Sequence, residues 1–287
     1  MGRSVVVTGA NSGIGLATAL ELAATGYDVV GTVRSAAKAE VLTRAAVDRG
    51  LRVRTVEMDV DDAASCADGV ARIGSMTGDL WGLVNNAGYA QFGAVEDVPD
   101  DLVRRQLETN VVAPIRLARL VLPGMRARGE GRIVNVSSVA GRLSTPLVGW
   151  YAASKHALEA VTDALRMEVE GDGVRVVLVE PGMFGTGIWG PMSQGGLPEP
   201  TSPRYATAYA RINAAGRRSD ALPDPVRVAR TVGLALGSQV PVARYTVGVD
   251  AIAGMLAESL LPTTLTDYVK AVAVGLRSVP LTKPFRG

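Results

Sequence analysis

Short runs of β-branched residues, bounded by Gly or Asp, alternate along this chain with longer stretches whose apolar positions recur at helical spacing. The pattern predicts strands near 4–8, 28–33, 52–58, 80–85, 132–137, 174–179 and 245–249. Between them it predicts helices over about 13–25, 36–49, 62–76, 100–122, 150–170 and 225–237. Regular strand–helix alternation suits a parallel sheet covered by helices on both faces. The expected fold is therefore α/β: one doubly wound domain over residues 1–287, with a seven-stranded parallel sheet. Sheets of this kind take their ligands at the carboxyl ends of the strands, so functional residues are expected just after strands.

One segment breaks the alternation. From Pro181 to Pro203, eleven of 23 positions are Gly or Pro, which excludes a regular helix there. Met183, Phe184, Ile188, Trp189, Met192 and Leu197 give it more apolar surface than a solvated linker carries. The expectation is an insertion at about 183–220 that acts as a lid over an apolar ligand, irregular from Met183 to Tyr209. Its Phe184, Ile188, Trp189 and Met192, with Val148, are the candidate substrate contacts.

Composition narrows the partners. The chain is 47% hydrophobic and 20% charged, ordinary for a globular protein, and 30 basic against 28 acidic residues leave a net charge of +2. That surplus makes no basic stripe, so nucleic acid is not an expected partner. The single cysteine, Cys66, can form neither an internal disulfide nor a CxxC metal site, and no metal is expected. A strand pattern begins at Ser4 with no leader-like region ahead of it, and no run of 18 apolar residues occurs. A cytoplasmic protein without a membrane span is expected, as a homodimer or homotetramer.

The candidate chemistry starts at Thr8-Gly9-Ala10-Asn11-Ser12-Gly13-Ile14-Gly15, which follows the first strand and opens a helix. Gly9 permits a tight turn, Gly13 lets backbone approach a pyrophosphate at the helix N-terminus, and Gly15 allows helix and sheet to pack closely. No GK[ST] ending is present, so a dinucleotide is favoured over a transferred phosphate. At the end of the second strand, Gly31-Thr32-Val33-Arg34-Ser35 lacks the acidic residue that would bind a ribose 2′-hydroxyl and offers a guanidinium instead. NADP, with NADPH preferred over NADH, is the expected cofactor, although Arg34 could equally be a solvated helix-start residue. After the third strand, Asp59 could meet an adenine amino group beside Val60, or Asp59 or Asp61 could cap the next helix.

The fifth strand runs into Ser137-Ser138, and thirteen residues beyond Ser138 stands Tyr151, with Lys155 at i+4 on the same helix face. A nearby ammonium favours phenolate and tunes the tyrosine as a general acid, while Ser138 can donate to a substrate oxygen. A half-buried tyrosine beside a surface lysine is the bland alternative. Lysine is scarce, however, with four in the chain against 26 arginines.

Together these residues resemble the short-chain dehydrogenase/reductase family in its compact single-domain branch, over nearly the whole chain. The resemblance is carried by the Thr8–Gly15 turn, Asn85-Asn86-Ala87-Gly88, Asn110, Ser138 with Tyr151 and Lys155, and Pro181-Gly182 with Thr186. It implies that Ser138 orients a carbonyl, Tyr151 transfers the proton, and Lys155 holds the nicotinamide ribose and lowers the tyrosine pKa. It further implies that Asn110 helps hold a water relay, that Asn86, Ala87 and Gly88 stabilise the sheet centre beside the cofactor, and that Pro181, Gly182 and Thr186 contact the carboxamide. Asn11, Ser12 and Ile14 join the cofactor set. Asp224-Pro225, Arg244–Gly248 with Asp250, and Leu261-Pro262 look like the 17β-hydroxysteroid-dehydrogenase-like branch. That likeness implies a ketone or secondary alcohol of bulky, apolar kind: steroid-, retinoid- or polyketide-like.

His156 points about 100° away from Lys155 on a helix and reads as structural, and Cys66 has no cationic neighbour in sequence. Leu265–Val279 reads as a packing or interface helix more readily than a membrane-surface one. A non-enzymatic NADP sensor and a methyltransferase remain the competing readings. Both leave the Ser138, Tyr151 and Lys155 set unexplained.

Overall fold

The computed structural model describes residues 2–78, 80–186, 196–216 and 221–277. Seven parallel strands form one sheet in the order β3-β2-β1-β4-β5-β6-β7. They are β1 (Ser4–Thr8), β2 (Asp28–Val33), β3 (Arg54–Glu57), β4 (Leu80–Asn85), β5 (Gly131–Val136), β6 (Val174–Pro181) and β7 (Arg244–Val247). The order reverses between β1 and β4, which opens a crevice at their carboxyl ends.

Alternation within the strands sends side chains to two cores. Val5 and Val7 join Val29, Val84, Val134 and Val177 on one face. There they meet Leu22 of α1 (Gly13–Ala24), Leu42 of α2 (Ala36–Val47) and Val232 and Leu236 of α8 (Val226–Gly237). Val6 joins Val30, Leu83, Ile133 and Val176 on the other face, against Cys66 and Ile73 of α3 (Ala63–Thr77) and Leu117, Val121 and Met125 of α5 (Ala113–Arg128). Each such side chain contributes about 1.5–3 kcal/mol when fully buried. The valine-rich strands are thus apolar throughout because both faces are covered.

Several boundaries differ from the sequence expectation for local reasons. The helix expected over 100–122 is α4 (Asp100–Leu107), a π-turn (Glu108–Val112) and α5, which continues through Pro123. Pro123 and Arg119, whose carbonyl loses its helical donor there, are both exposed, so the interruption falls on the solvent side of the helix. The last strand ends at Val247, and Val249 already belongs to α9 (Val249–Leu260), because Gly248 with φ +116° turns the chain between them.

The irregular segment also ends earlier than expected. Glycine and proline stop at Pro203, which opens a 3₁₀ turn (Pro203–Tyr205), and the alanine-rich α7 (Ala206–Gly216) follows. Tyr205 and Tyr209 therefore sit in regular structure. The end of the chain adds α10 (Thr263–Val274), whose last carbonyls at Val272 and Ala273 accept from Arg211 of α7. Among the described residues, no helix is long and apolar enough to cross a membrane.

Candidate active site

The glycine turn is shaped by its backbone. Gly9 and Gly13 have φ of +63° and +52°, in the left-handed region that favours glycine. A Cβ on Gly15 would collide with the Gly9 carbonyl and the Asn86 side-chain amide, so α1 can start this close to the sheet only with glycine there. Thr8 Oγ1 accepts from the Asn86 and Ala87 amides, both at 2.9 Å, and Asn86 Nδ2 donates to the Thr8 carbonyl at 2.8 Å. These bonds fasten the turn after β1 to the turn after β4. The first turn of α1 carries no acidic residue, and Ser12 makes no side-chain cap. The positive end of the helix thus faces the crevice uncompensated, which suits a pyrophosphate.

A cleft of about 320 Å³ runs along the crevice. Of the residues expected from sequence, it gathers Gly9, Asn11, Ser12, Gly13, Ile14, Gly15, Arg34, Asp59, Val60, Asn86, Ala87, Gly88, Ser138, Tyr151, Lys155, Pro181, Gly182, Phe184 and Thr186 along one wall or another. At the end beside β2, Arg34 is joined by Lys38, which the sequence reading did not single out. Burial and the neighbouring Arg34 pull the Lys38 ammonium below its usual range, with Asp59 working the other way. Two crowded cations are a fit place for a phosphate. The helix cap after β3 falls to neither Asp59 nor Asp61. Asp62 Oδ1 accepts from Ala64 and Ser65, and Asp59 Oδ1 accepts instead from the Asp61 amide at 3.1 Å. Asp61, Tyr89 and Thr109 also line the cleft, and burial pushes the Tyr89 hydroxyl up to about 12.

At the opposite end β5 delivers Ser138, and α6 (Gly149–Glu168) presents Tyr151 and Lys155 on one face. All three are buried. The lysine Nζ donates to the Val136 carbonyl at 2.9 Å and lies 5.9 Å from the centre of the Tyr151 ring. Burial pushes the Tyr151 hydroxyl up to about 12, against the lowering effect of its hydrogen bond with Ser138. Burial also pulls Lys155 down to about 8, with Glu159 opposing. The expected lowering of the tyrosine by Lys155 is not found, because burial outweighs it: at neutral pH the tyrosine holds its proton and the lysine is mostly ammonium. A buried phenol beside a serine hydroxyl can donate a proton to an oxygen placed between them.

Asn110 lies in the π-turn and does not line the cleft. Its Oδ1 accepts from the Tyr89 amide at 3.1 Å, and its Nδ2 donates to the Tyr89 carbonyl and to Ser154 Oγ, both at 2.9 Å. The side chain thus ties the turn after β4 to α6.

The candidate substrate residues separate. Val148 packs in a cluster around Tyr151 with Ala90, Phe92, Ala140, Leu197 and Ile212. Phe184 belongs to the sheet-core cluster with Ala10, Val136 and Val179 and also lines the cleft. Ile188, Trp189 and Met192 lie outside the described residues. The insertion begins beside Asp250, whose Oδ2 accepts from the Met183 amide at 2.7 Å. His156 is exposed, and Nδ1 of its ring sits 2.9 Å from the Ala152 carbonyl, away from the cleft. Cys66 is buried and lies near the Arg116 guanidinium; burial nonetheless raises its pKa.

Residues 3–195 match the short chain dehydrogenase family. The NADPH-dependent 3-dehydrocapnine reductase of Ornithobacterium rhinotracheale is 34% identical over 274 residues, covering 93% of this chain and 95% of that protein. Human 17-beta-hydroxysteroid dehydrogenase type 6 is also 34% identical, over 282 residues that cover 93% of this chain and 87% of that one. Among solved structures, a metagenomic short-chain oxidoreductase in complex with NADP superposes with a TM-score of 0.67 at 27% identity, covering 85% of this chain and 96% of that one.

Proposed function

Because the chain belongs to the short-chain dehydrogenase/reductase family, we propose that it is an NADP(H)-dependent oxidoreductase acting between a ketone and a secondary alcohol. The observation that carries this reading is the convergence of Ser138, Tyr151 and Lys155 at the end of the cleft that the glycine turn opens. When bound, the nicotinamide supplies or accepts the hydride. Tyr151 donates its proton to the carbonyl oxygen, and Ser138 hydrogen-bonds that oxygen as negative charge develops there. Lys155, held on the Val136 carbonyl, keeps positive charge beside the phenol and towards the ribose. Asn110 acts through position, by holding Tyr89 and Ser154 together at the foot of α6. Arg34 and Lys38 together are the pair that selects the 2′-phosphate.

For the substrate, the apolar cluster around Tyr151 supports a bulky, apolar carbonyl compound, steroid-, retinoid- or polyketide-like. One relative, human 17-beta-hydroxysteroid dehydrogenase type 6, is named for a steroid, and at the same 34% identity as the 3-dehydrocapnine reductase it keeps the 17β-hydroxysteroid-dehydrogenase-like branch within this proposal. Exposed Ile252, Leu256 and Leu260 on α9 support a homo-oligomer. The test is the loss of NADPH absorbance at 340 nm with a series of ketones of increasing apolar size. Turnover that grows with apolar size is expected. Binding of NADPH with no turnover of any ketone would favour a sensor.

A further inference from the structure

One turn beyond Lys155 on α6 stands Glu159, so Tyr151, Lys155 and Glu159 form an i, i+4, i+8 stripe on a single buried face. Glu159 is 5% exposed, and a carboxylate so far from water needs partners. Its Oε2 accepts from Arg244 Nε of β7 at 3.1 Å. Its Oε1 is buried without a geometric hydrogen-bond partner among the described residues, and so is the hydroxyl of Ser137, a residue of the cleft wall. Both oxygens crowd Gly141: a Cβ there would lie 2.9 Å from Ser137 Oγ and 3.2 Å from Glu159 Oε1. The carboxylate therefore reaches back towards the cleft and is fixed at its far side.

The surrounding charges make this placement more than packing. Glu180 of β6 is 1% exposed and shares Arg244 at 3.2 Å, with Arg142 at 3.4 Å as its second cation. Asp163 of α6 also pairs with Arg244. Burial and Glu180 push the Glu159 carboxyl up, while Ser137 and Arg244 act to lower it. Lys155 is the ammonium on the cleft side of the group, and Glu159 is the charge that works against the lysine's desolvation.

We propose that Glu159 is a positioning residue for the reaction: its buried carboxylate, pinned by Arg244 one helical turn beyond Lys155, is the fixed counter-charge of that ammonium. The inference rests on the role given to Lys155 above and extends it to the residues that keep the lysine charged.

Four lysines make the test direct. The Cε signals of protein labelled with [ε-13C]lysine are followed against pH, Lys155 being assigned by the signal lost in Lys155→Ala. In Glu159→Gln the Lys155 midpoint should fall from about 8 by about one pH unit, the scale of one lost opposite charge nearby, with the other lysines unmoved. NADPH affinity, read by fluorescence, should weaken in that variant as pH rises towards 8 and match the parent at pH 6. Glu159→Asp, which keeps the charge, should recover most of both effects. A Lys155 midpoint equal to that of the parent in Glu159→Gln overturns the proposal, whatever happens to turnover. Should the Gln variant fail to fold, Glu159→Met, which removes the charge at similar volume, takes its place, and an unmoved Lys155 midpoint there overturns the proposal as well. If Lys155→Ala itself keeps normal NADPH binding and turnover, the reading of Lys155 fails, and it fails independently of the Glu159 result.

Discussion

The Tyr209 hydroxyl donates to Asp97 Oδ2 at 2.6 Å and accepts from the Ala94 amide at 2.9 Å, joining α7 to the loop after β4. Thr201 adds two donors to the other carboxylate oxygen, its amide at 3.0 Å and its hydroxyl at 2.5 Å. Burial works to raise the Asp97 carboxyl, yet the bonds from Thr201 and Tyr209 outweigh it and hold the group below its usual range. A carboxylate depressed in this way adds stability above its unfolded pKa of about 3.9 and loses it as pH falls through the folded value. Tyr209→Phe should therefore destabilise the protein by about 1 kcal/mol at neutral pH and shrink the loss of stability on acidification. Urea unfolding at pH 7 and at pH 3.5 measures both. An unchanged acid dependence would mean that the bond to Tyr209 does not set the Asp97 titration.

Removal of the phenol proton tests the chemistry. Tyr151→Phe keeps the ring in its apolar cluster. Turnover should fall by about 10² or more while the NADPH dissociation constant stays within a few-fold of the parent. Near-normal turnover would require another acid.

Cofactor choice is tested at the far end of the cleft. Arg34→Ala and Lys38→Ala should each weaken NADPH binding by about 1.5–3 kcal/mol, the scale of a charged hydrogen bond, and leave NADH nearly unaffected. Isothermal titration with both cofactors gives the comparison. Equal losses for the two would show that neither cation meets the 2′-phosphate.

Lys155 should reveal itself through opposite pH trends in activity and stability. With its pKa pulled down to about 8, the ammonium that ketone reduction needs is lost as pH rises past that value, while Tyr151 stays protonated. Turnover should therefore fall above about pH 8. Stability should move the other way: between about 8 and the unfolded value of about 10.4 the unfolded chain binds more protons, so this group's contribution rises with pH. Urea midpoints of the parent and of Lys155→Met at pH 7.5 and 9.5 isolate the contribution, which the Met variant lacks.

Features with a short-range cause could be read from the sequence. Parallel strands buried on both faces must be apolar along their length, so the valine runs of β1, β2 and β6 announce themselves: β1 and β2 keep the expected bounds, and β6 runs on to Pro181. The glycine turn is largely local, because Gly9 and Gly13 answer to their own φ and Gly15 to the Gly9 carbonyl, although Gly15 also meets Asn86 on the turn after β4. Tyr151 and Lys155 share a face through helix periodicity alone. Other features needed the folded chain. Asn110 faces Tyr89 from the π-turn that divides the expected helix. The dense glycine and proline content hid α7, whose anchor, Asp97, lies 112 residues from Tyr209. Glu159 looks in sequence like any charged helix residue; its burial and its clamp by Arg244 of β7 arise when the sheet closes against α6. Spacing encodes what one element does by itself. Which polar groups lose water together, and so shift one another's charge, is decided by packing between elements distant in sequence.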